Sequence, residues 1–306
     1  MTPIIIDTDP GIDDAMAIFF AAAAPEIELL GLTTVFGNVS GRIAVRNALR
    51  LVEAVDLDIP VAEGAWRPRV RPPVEPSWKV HGREGFGTLP ADVPRGKAAD
   101  EGAADFLIRV TAERPGEVTL CAIAPLTNVA EAIDRDPGFA SRLKELVIMG
   151  GSLDAGGNAT PHAEANTHKD PDAAQIVFAS GAPIRMVGLD VTNHVICTPS
   201  DFALIAHRSP VLGGMLQEMS GHYVEFYQEM RNFDGCALHD PTAIVAAIEP
   251  ALFEWRRTRV RIVERGEAAG RTIADPACAH APVEVATRVD APAVLHRFTE
   301  ALGYLP

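Results

Sequence analysis

The sequence predicts an α/β protein: an open, mostly parallel sheet flanked by helices on both faces, with a small antiparallel extension. Two observations carry that expectation. Short β-branched runs alternate with Ala-rich stretches of helical length through residue 189. After Pro250 the chain changes to more polar strand-like runs, which suit an antiparallel edge. No internal repeat, low-complexity tract or sharp linker divides the 306 residues, so a single domain over 1–306 is expected.

In chain order, residues 4–6 form the first strand and 15–24 a helix stopped by Pro25. Residues 27–35 return as a strand ended by Gly37-Asn38, and Ser40 caps a helix reaching Val55. A short strand at 59–62 leads into a long Pro-rich segment, 63–97, which holds Trp66, Trp78 and His81. A loop of that length inside a compact domain is usually functional or disordered. Helix 98–113, strand 118–124, helix 126–134 and strand 146–149 come next, the last ending in Gly150-Gly151. Helix 173–180 and strand 184–189, ending at Asp190, complete the alternation. Residues 200–248 read as helical with a break near Gly235. Polar strands are expected at 256–264, 271–275 and 283–288, then a last helix at 293–302.

A chain this long buries a sizeable core without help from a metal or disulfide, so any metal site needs a functional reason. The formal charge of −14 repels a phosphate backbone and argues against nucleic acid as a partner. Four scattered cysteines with no CxxC argue against structural zinc and suit a reducing compartment. The chain opens directly into Ile4-Ile5-Ile6-Asp7 with no basic stretch before it, so no secretory signal is expected. Its longest apolar run, 15–24, is half the roughly 20 residues a membrane span needs. A soluble, cytoplasmic protein without membrane partners is expected.

Ligands of open α/β sheets bind beyond the carboxyl ends of the strands. There the strongest signal is Asp7-Thr8-Asp9-Pro10-Gly11-Ile12-Asp13-Asp14, four carboxylates in eight residues. One capping Asp needs no other account. Four at the end of a core strand repel one another unless a divalent cation sits among them. Carboxylates without paired His or Cys favour a hard ion, Ca²⁺ or Mg²⁺, and Ca²⁺ leaves room for a substrate diol and water. Leu238-His239-Asp240-Pro241 is a second signal; in isolation Asp240 and Pro241 are also an ordinary N-cap and first helical residue. Gly157-Asn158-Ala159-Thr160 with Glu164 and Asn166 is a third, and His81-Gly82 a fourth; alone, each reads as a plain loop.

Taken in order, these segments resemble the inosine/uridine-preferring nucleoside hydrolases. The likeness extends to Thr33-Thr34-Val35-Phe36-Gly37-Asn38, Ala124-Pro125-Leu126-Thr127-Asn128 and Val147-Ile148-Met149-Gly150-Gly151, and is weakest after Pro250. The resemblance implies a Ca²⁺-dependent hydrolase of the N-glycosidic bond of ribonucleosides, with a ribonucleoside as its small-molecule partner and a dimeric or tetrameric homo-oligomer. It implies Ca²⁺ ligation by Asp9, Asp14, Asp240 and the Ile123 carbonyl, with Asp9 also the base that activates water. Asp13, Asn38, Met149, Asn158, Glu164 and Asn166 are implied around the ribose, and Asp7 behind the metal loop. His239 is implied as leaving-group acid, a role that suits a residue titrating near neutrality. His81 would cap the base. Tyr223 and Tyr227, four apart on one helical face, either touch the base or pack in the core.

The chain departs from the family pattern at Ala165 and at Ser152-Leu153-Asp154, which lack aromatic residues common there. Those positions are expected to wall the base or 5′ side. Neither Trp66 nor Trp78 aligns with the stacking tryptophans of the purine-specific branch. A metal-dependent phosphatase is a competing reading, because Asp7-x-Asp9 is similar to the DxDx[TV] nucleophile motif; Gly11 in place of Thr or Val argues against it. A non-catalytic ribosyl binder on the same scaffold is another, and retention of a water-activating Asp9 argues against that.

Overall fold

Three consecutive isoleucines make the centre of the protein. The computed structural model describes residues 1–303. In strand β1 (Thr2–Thr8), Ile4, Ile5 and Ile6 are fully buried, as in a strand covered on both faces. Ile4 and Ile6 point into one hydrophobic core and Ile5 into the other, the two-residue alternation of a pleated strand.

The main sheet has eight strands. Their spatial order is β3 (Val61–Glu63), β2 (Ile27–Thr34), β1, β4 (Thr119–Ala122), β5 (Glu145–Met149), β6 (Ile184–Val187), β12 (Val283–Val289) and β9 (Phe253–Thr258). All pair in parallel except β9, which runs antiparallel to β12. The chain winds outward from β1 to β2 and β3 on one side, then returns to place β4 on the other. The crevice beyond β1 and β4 is therefore the switch point where such sheets bind ligands.

One face of the sheet is covered by α1 (Ile12–Ala23), α2 (Gly41–Ala54), α9 (Leu189–Thr192), α10 (Pro199–Arg208), α11 (Leu212–Arg231), α12 (His239–Ile248) and α13 (Ala291–Leu302). The other is covered by α4 (Ala103–Glu113), α5 (Thr127–Arg135), α6 (Phe139–Arg142) and α8 (Pro171–Ala179). Residues 12–21 of α1 are all buried, so this helix lies within the core rather than on it. Two short helices, α3 (Trp78–His81) and α7 (Ala165–Lys169), stand at the carboxyl end of the sheet and carry site residues.

The expected α/β alternation is present, with three local differences. The 200–248 stretch is three helices, and its break is a strand, β8 (Cys236–Ala237), paired with β7 (Ile196–Cys197). The expected 256–264 strand is split: β9 edges the main sheet, while β10 (Val260–Ile262) pairs with β11 (Thr272–Ala274) in a separate ribbon. The 283–288 segment is inserted in the main sheet, parallel to β6 on one side and antiparallel to β9 on the other, so the expected antiparallel extension consists of the β12–β9 edge and the β10–β11 ribbon; Val283 and Val285 bury their side chains in the second core. The four cysteines are unpaired, and no helix among the described residues is long and apolar enough to cross a membrane.

Phe20 joins α1 to α13: its ring is 6.3 Å from that of Phe298, and the Arg297 guanidinium lies 5.7 Å above it. Phe20→Ala is expected to cost about 3–5 kcal/mol, read as a lower urea midpoint with an unchanged slope; an unshifted midpoint would show that the α1–α13 seam contributes little.

Candidate active site

A cleft of about 660 Å³ opens over the carboxyl ends of β1, β4 and β5. The residues that the resemblance implies for metal, ribose and base all line it except Asp9 and Asp14, which are fully buried in its floor. The segment 63–97, expected as a loop, supplies one wall through residues 74–81 and is irregular apart from α3. It is pinned to α2: Arg46 pairs with Glu84 at 2.7 Å, Asn47 Nδ2 donates to the Pro10 and Glu84 carbonyls, and Arg50 donates to the Pro90 carbonyl.

The floor is the acidic turn between β1 and α1. Asp14 receives hydrogen bonds from Thr8 Oγ1, from the backbone N–H groups of Asp9 and Gly11, and from Asn38 Nδ2. Asp9 Oδ2 accepts from the Asn38 N–H at 2.5 Å and lies 3.7 Å from Lys169 Nζ. Its Oδ1 has only a long contact of 3.4 Å to Asn38 Nδ2. Asp7 points away from the cleft, as a support: Thr33 Oγ1 and Asn128 Nδ2 donate to its Oδ1. Burial pushes the Asp7 and Asp13 carboxyls up to about 7, and it holds Asp9, Asp14 and Asp240 above the usual carboxylate range.

This donor set fits a hard divalent cation. One carboxylate oxygen each from Asp13, Asp14 and Asp240 lie within 4.8 Å of one another, all buried, and Asp13 Oδ1 is buried without a hydrogen-bond partner. The expected ligand set pairs Asp14 and Asp240 with Asp9; the oxygens that come within 4.8 Å of one another belong to Asp13, Asp14 and Asp240, while Asp9 Oδ2 faces Asn38 and Lys169. The Ile123 carbonyl faces the cleft and accepts from Asn166 Nδ2 at 3.1 Å, which leaves its second lone pair free.

Three of the residues expected around the ribose, Asn158, Glu164 and Asn166, come from α7 and the loop before it. Glu164 caps α7 by accepting from the Asn166 and Thr167 N–H groups, and it also accepts from Gly151 N at 2.9 Å. Asn166 Nδ2 reaches the Met149 carbonyl at 3.1 Å. Asn158 is more exposed, with Oδ1 holding the Ala165 N–H. Of the two departures from the family pattern, Ala165 does line the cleft. Leu153 and Asp154 instead border a separate cavity of about 250 Å³, in a turn held by the Asp190 carboxylate, so that expectation is corrected.

The opposite wall is built of neutral hydrogen-bonding groups. His239 lies between Thr192 Oγ1, 2.7 Å from Nδ1, and the Tyr227 hydroxyl, 2.7 Å from Nε2. Burial lowers its pKa to about 3, so its imidazole is neutral at pH 7, against the expectation of a group titrating near neutrality. Tyr223 donates to Asp13 Oδ2 at 3.3 Å and stands edge-on to Tyr227, with ring centroids 5.1 Å apart. Both tyrosines therefore serve core and cleft at once. His81 is not a solvated loop residue: it is 4% exposed, and its Nδ1 accepts from Ile12 N–H at 3.2 Å, which puts the ring proton on Nε2. Trp78 stands at the cleft mouth, whereas Trp66 lies away from it, over Gly41. Thr192, Asn128 and Lys169 were not expected at the site. Asn128 ends one of the segments that carry the family resemblance, and Lys169 stands out as the lone cation between Asn166 and the Asp170-Pro171 helix start; Thr192 had no sequence signal.

Gly37 is held glycine by contact: a Cβ there would lie 1.9 Å from Asp9 Oδ2. Gly37→Ala is expected to cost about 1–3 kcal/mol in urea unfolding, because Asp9 must leave its Asn38 bond. An alanine variant as stable as the wild type would show that Asp9 is free to move.

A model of the inosine-uridine preferring nucleoside hydrolases matches residues 4–296. A probable uridine nucleosidase 1 of Oryza sativa subsp. japonica is 41% identical over 310 residues, covering 98% of this chain and 96% of that protein. The non-specific ribonucleoside hydrolase RihC of Escherichia coli O1:K1 / APEC is 40% identical over 294 residues, covering 94% and 93%. Among solved structures, a plant nucleoside hydrolase, PpNRh1, superposes with a TM-score of 0.96 at 38% identity over 99% of both chains. With a carboxylate-floored cleft at the sheet's switch point and relatives alike along nearly its whole length, the chain belongs to the inosine-uridine preferring nucleoside hydrolase family and is an enzyme of ribonucleoside hydrolysis.

Proposed function

We propose that this protein is a Ca²⁺-dependent ribonucleoside hydrolase, working as a single domain in a reducing, cytoplasmic setting, that cleaves the N-glycosidic bond of nucleosides such as uridine and inosine to ribose and free base. The observation that carries the reading is the buried cluster Asp13, Asp14 and Asp240, with the Glu164 carboxylate and the Asn38 and Asn166 amides lining the same cleft. Ca²⁺ is favoured over Mg²⁺ because it accepts more oxygens in looser geometry. When bound, the cation supplies the charge that keeps these carboxylates ionised and lowers the pKa of water.

The protein's own groups do the rest. Asp9 Oδ2 is taken up by the Asn38 N–H, leaving Oδ1 to accept a proton from water. Asp13, Asn38, Glu164 and Asn166 hold the ribose hydroxyls, and their charge and dipoles stabilise an oxocarbenium-like transition state. On the base side, the His239 tautomer with its proton on Nε2 accepts from Thr192 Oγ1 at Nδ1 and donates to the Tyr227 oxygen, which turns the tyrosine O–H toward the leaving base. His81, its Nε2–H directed away from Ile12, closes that wall.

Ribose release from uridine, cytidine, inosine, adenosine and guanosine, with Ca²⁺ and with chelator, tests the reaction. Turnover of one or more nucleosides, lost in chelator and regained with Ca²⁺, is expected. A folded, Ca²⁺-loaded protein that releases ribose from none of them would refute the reading and favour a ribosyl binder.

Two variants test the roles. Asp9→Ala is expected to slow hydrolysis by about 10²–10⁴-fold with every nucleoside. His239→Ala is expected to slow inosine hydrolysis on that scale yet spare 4-nitrophenyl riboside, whose leaving group needs no proton. Equal losses on both substrates would remove His239 from leaving-group protonation.

A further inference from the structure

One cation lies inside the carboxylate floor. Lys169 is 4% exposed, the last residue of α7, and its direction is set by its neighbour Asp170. Asp170 caps α8 through Ala173 N and also accepts from Thr127 Oγ1 at 2.7 Å and Arg69 N at 3.1 Å, so the α7–α8 junction is tied at three points. From there the ammonium reaches 3.1 Å from Asn38 Oδ1 and 3.7 Å from Asp9 Oδ2.

An ammonium only donates. It therefore fixes Asn38 Oδ1 toward itself and Nδ2 toward Asp14 and Asp9, the orientation observed. The same charge lies one amide group away from Asp14, whose Oδ2 is 3.0 Å from Asn38 Nδ2. Its field also reaches Asp9, Glu164 and His81.

We propose that Lys169 is a positioning residue with two opposed effects: it sets Asn38 and Asp9 for reaction, and its charge weakens the binding of a divalent cation at Asp13, Asp14 and Asp240. This rests on the metal reading above. Lys169 thus takes part of the charge compensation that the cation would otherwise supply alone, and the enzyme holds its metal less tightly than the carboxylates would by themselves.

The test is Ca²⁺ titration calorimetry of the full chain, with thermal unfolding in chelator and in Ca²⁺, and with uridine turnover measured alongside. Lys169→Met removes charge and hydrogen bond; Lys169→Gln removes the charge but keeps a donor for Asn38 Oδ1. Both are expected to bind Ca²⁺ about tenfold more tightly and to show a larger Ca²⁺-induced rise in unfolding temperature. Turnover at saturating Ca²⁺ is expected to fall about 10–100-fold in Lys169→Met, with partial recovery in Lys169→Gln. A merely structural lysine would lower affinity and turnover together. Folded variants that bind Ca²⁺ no more tightly than wild type, or a Lys169→Met enzyme with full turnover, overturn the proposal. A wild-type chain that binds no Ca²⁺ overturns the metal reading itself, a result separable from the first two.

Discussion

Burying carboxylates at the end of a core strand is the constraint that organises this molecule. β1 ends at the middle of the sheet, where water is excluded, and four aspartates complete or succeed it within eight residues. Each needs donors, and the surrounding structure supplies them: Thr8, Thr33, Asn38, Asn128 and the turn's own N–H groups all point at an Asp oxygen. Gly37 and Gly11 lack side chains where Asp9 and His81 take the space a Cβ would occupy. Even so, Asp7 Oδ2 and Asp13 Oδ1 are left without partners. Such residual polarity is costly in a core and is kept where chemistry uses it.

The two walls of the cleft differ in charge. One concentrates carboxylates and amides, from Asp13, Asn38, Glu164 and Asn166. The other carries Thr192, His239, Tyr227 and Tyr223, linked by short hydrogen bonds or ring contacts, with the exposed Arg231 guanidinium 5.7 Å from the Tyr227 ring centroid. Burial keeps His239 uncharged at pH 7. Relatives alike along nearly the whole chain carry names ranging from uridine nucleosidase to non-specific ribonucleoside hydrolase.

The parts legible in the sequence were those with local, period-bearing patterns. The β1–α1 turn was readable because a strand, a break and a run of aspartates are contiguous, and the mostly parallel sheet followed from the alternation of apolar runs with helical stretches. The split at Arg259 was not readable, since nothing local tells a strand of six residues followed by one of three from a single run of nine. Thr192 and Asn128 escaped because their roles depend on partners 47 and 121 residues away, His239 and Asp7. His81 reads as an exposed loop residue until the pinning of its segment by Arg46, Asn47 and Arg50 is seen. The carboxylate cluster shows the same limit: Asp9, Asp13 and Asp14 are near neighbours in sequence, and only side-chain direction decides which of them gathers with Asp240.

The borders of the main sheet have a consequence for how copies of this chain can meet. At one border β3 is three residues long. At the other, β9 exposes Glu254, Arg256 and Arg257, with Arg257 and Arg288 engaged by Glu284 and Glu254. A short strand at one end and a charged one at the other give an incoming strand little to template on. A continuous intermolecular sheet, the route to fibrous aggregation, is disfavoured by the same edges that end the main sheet.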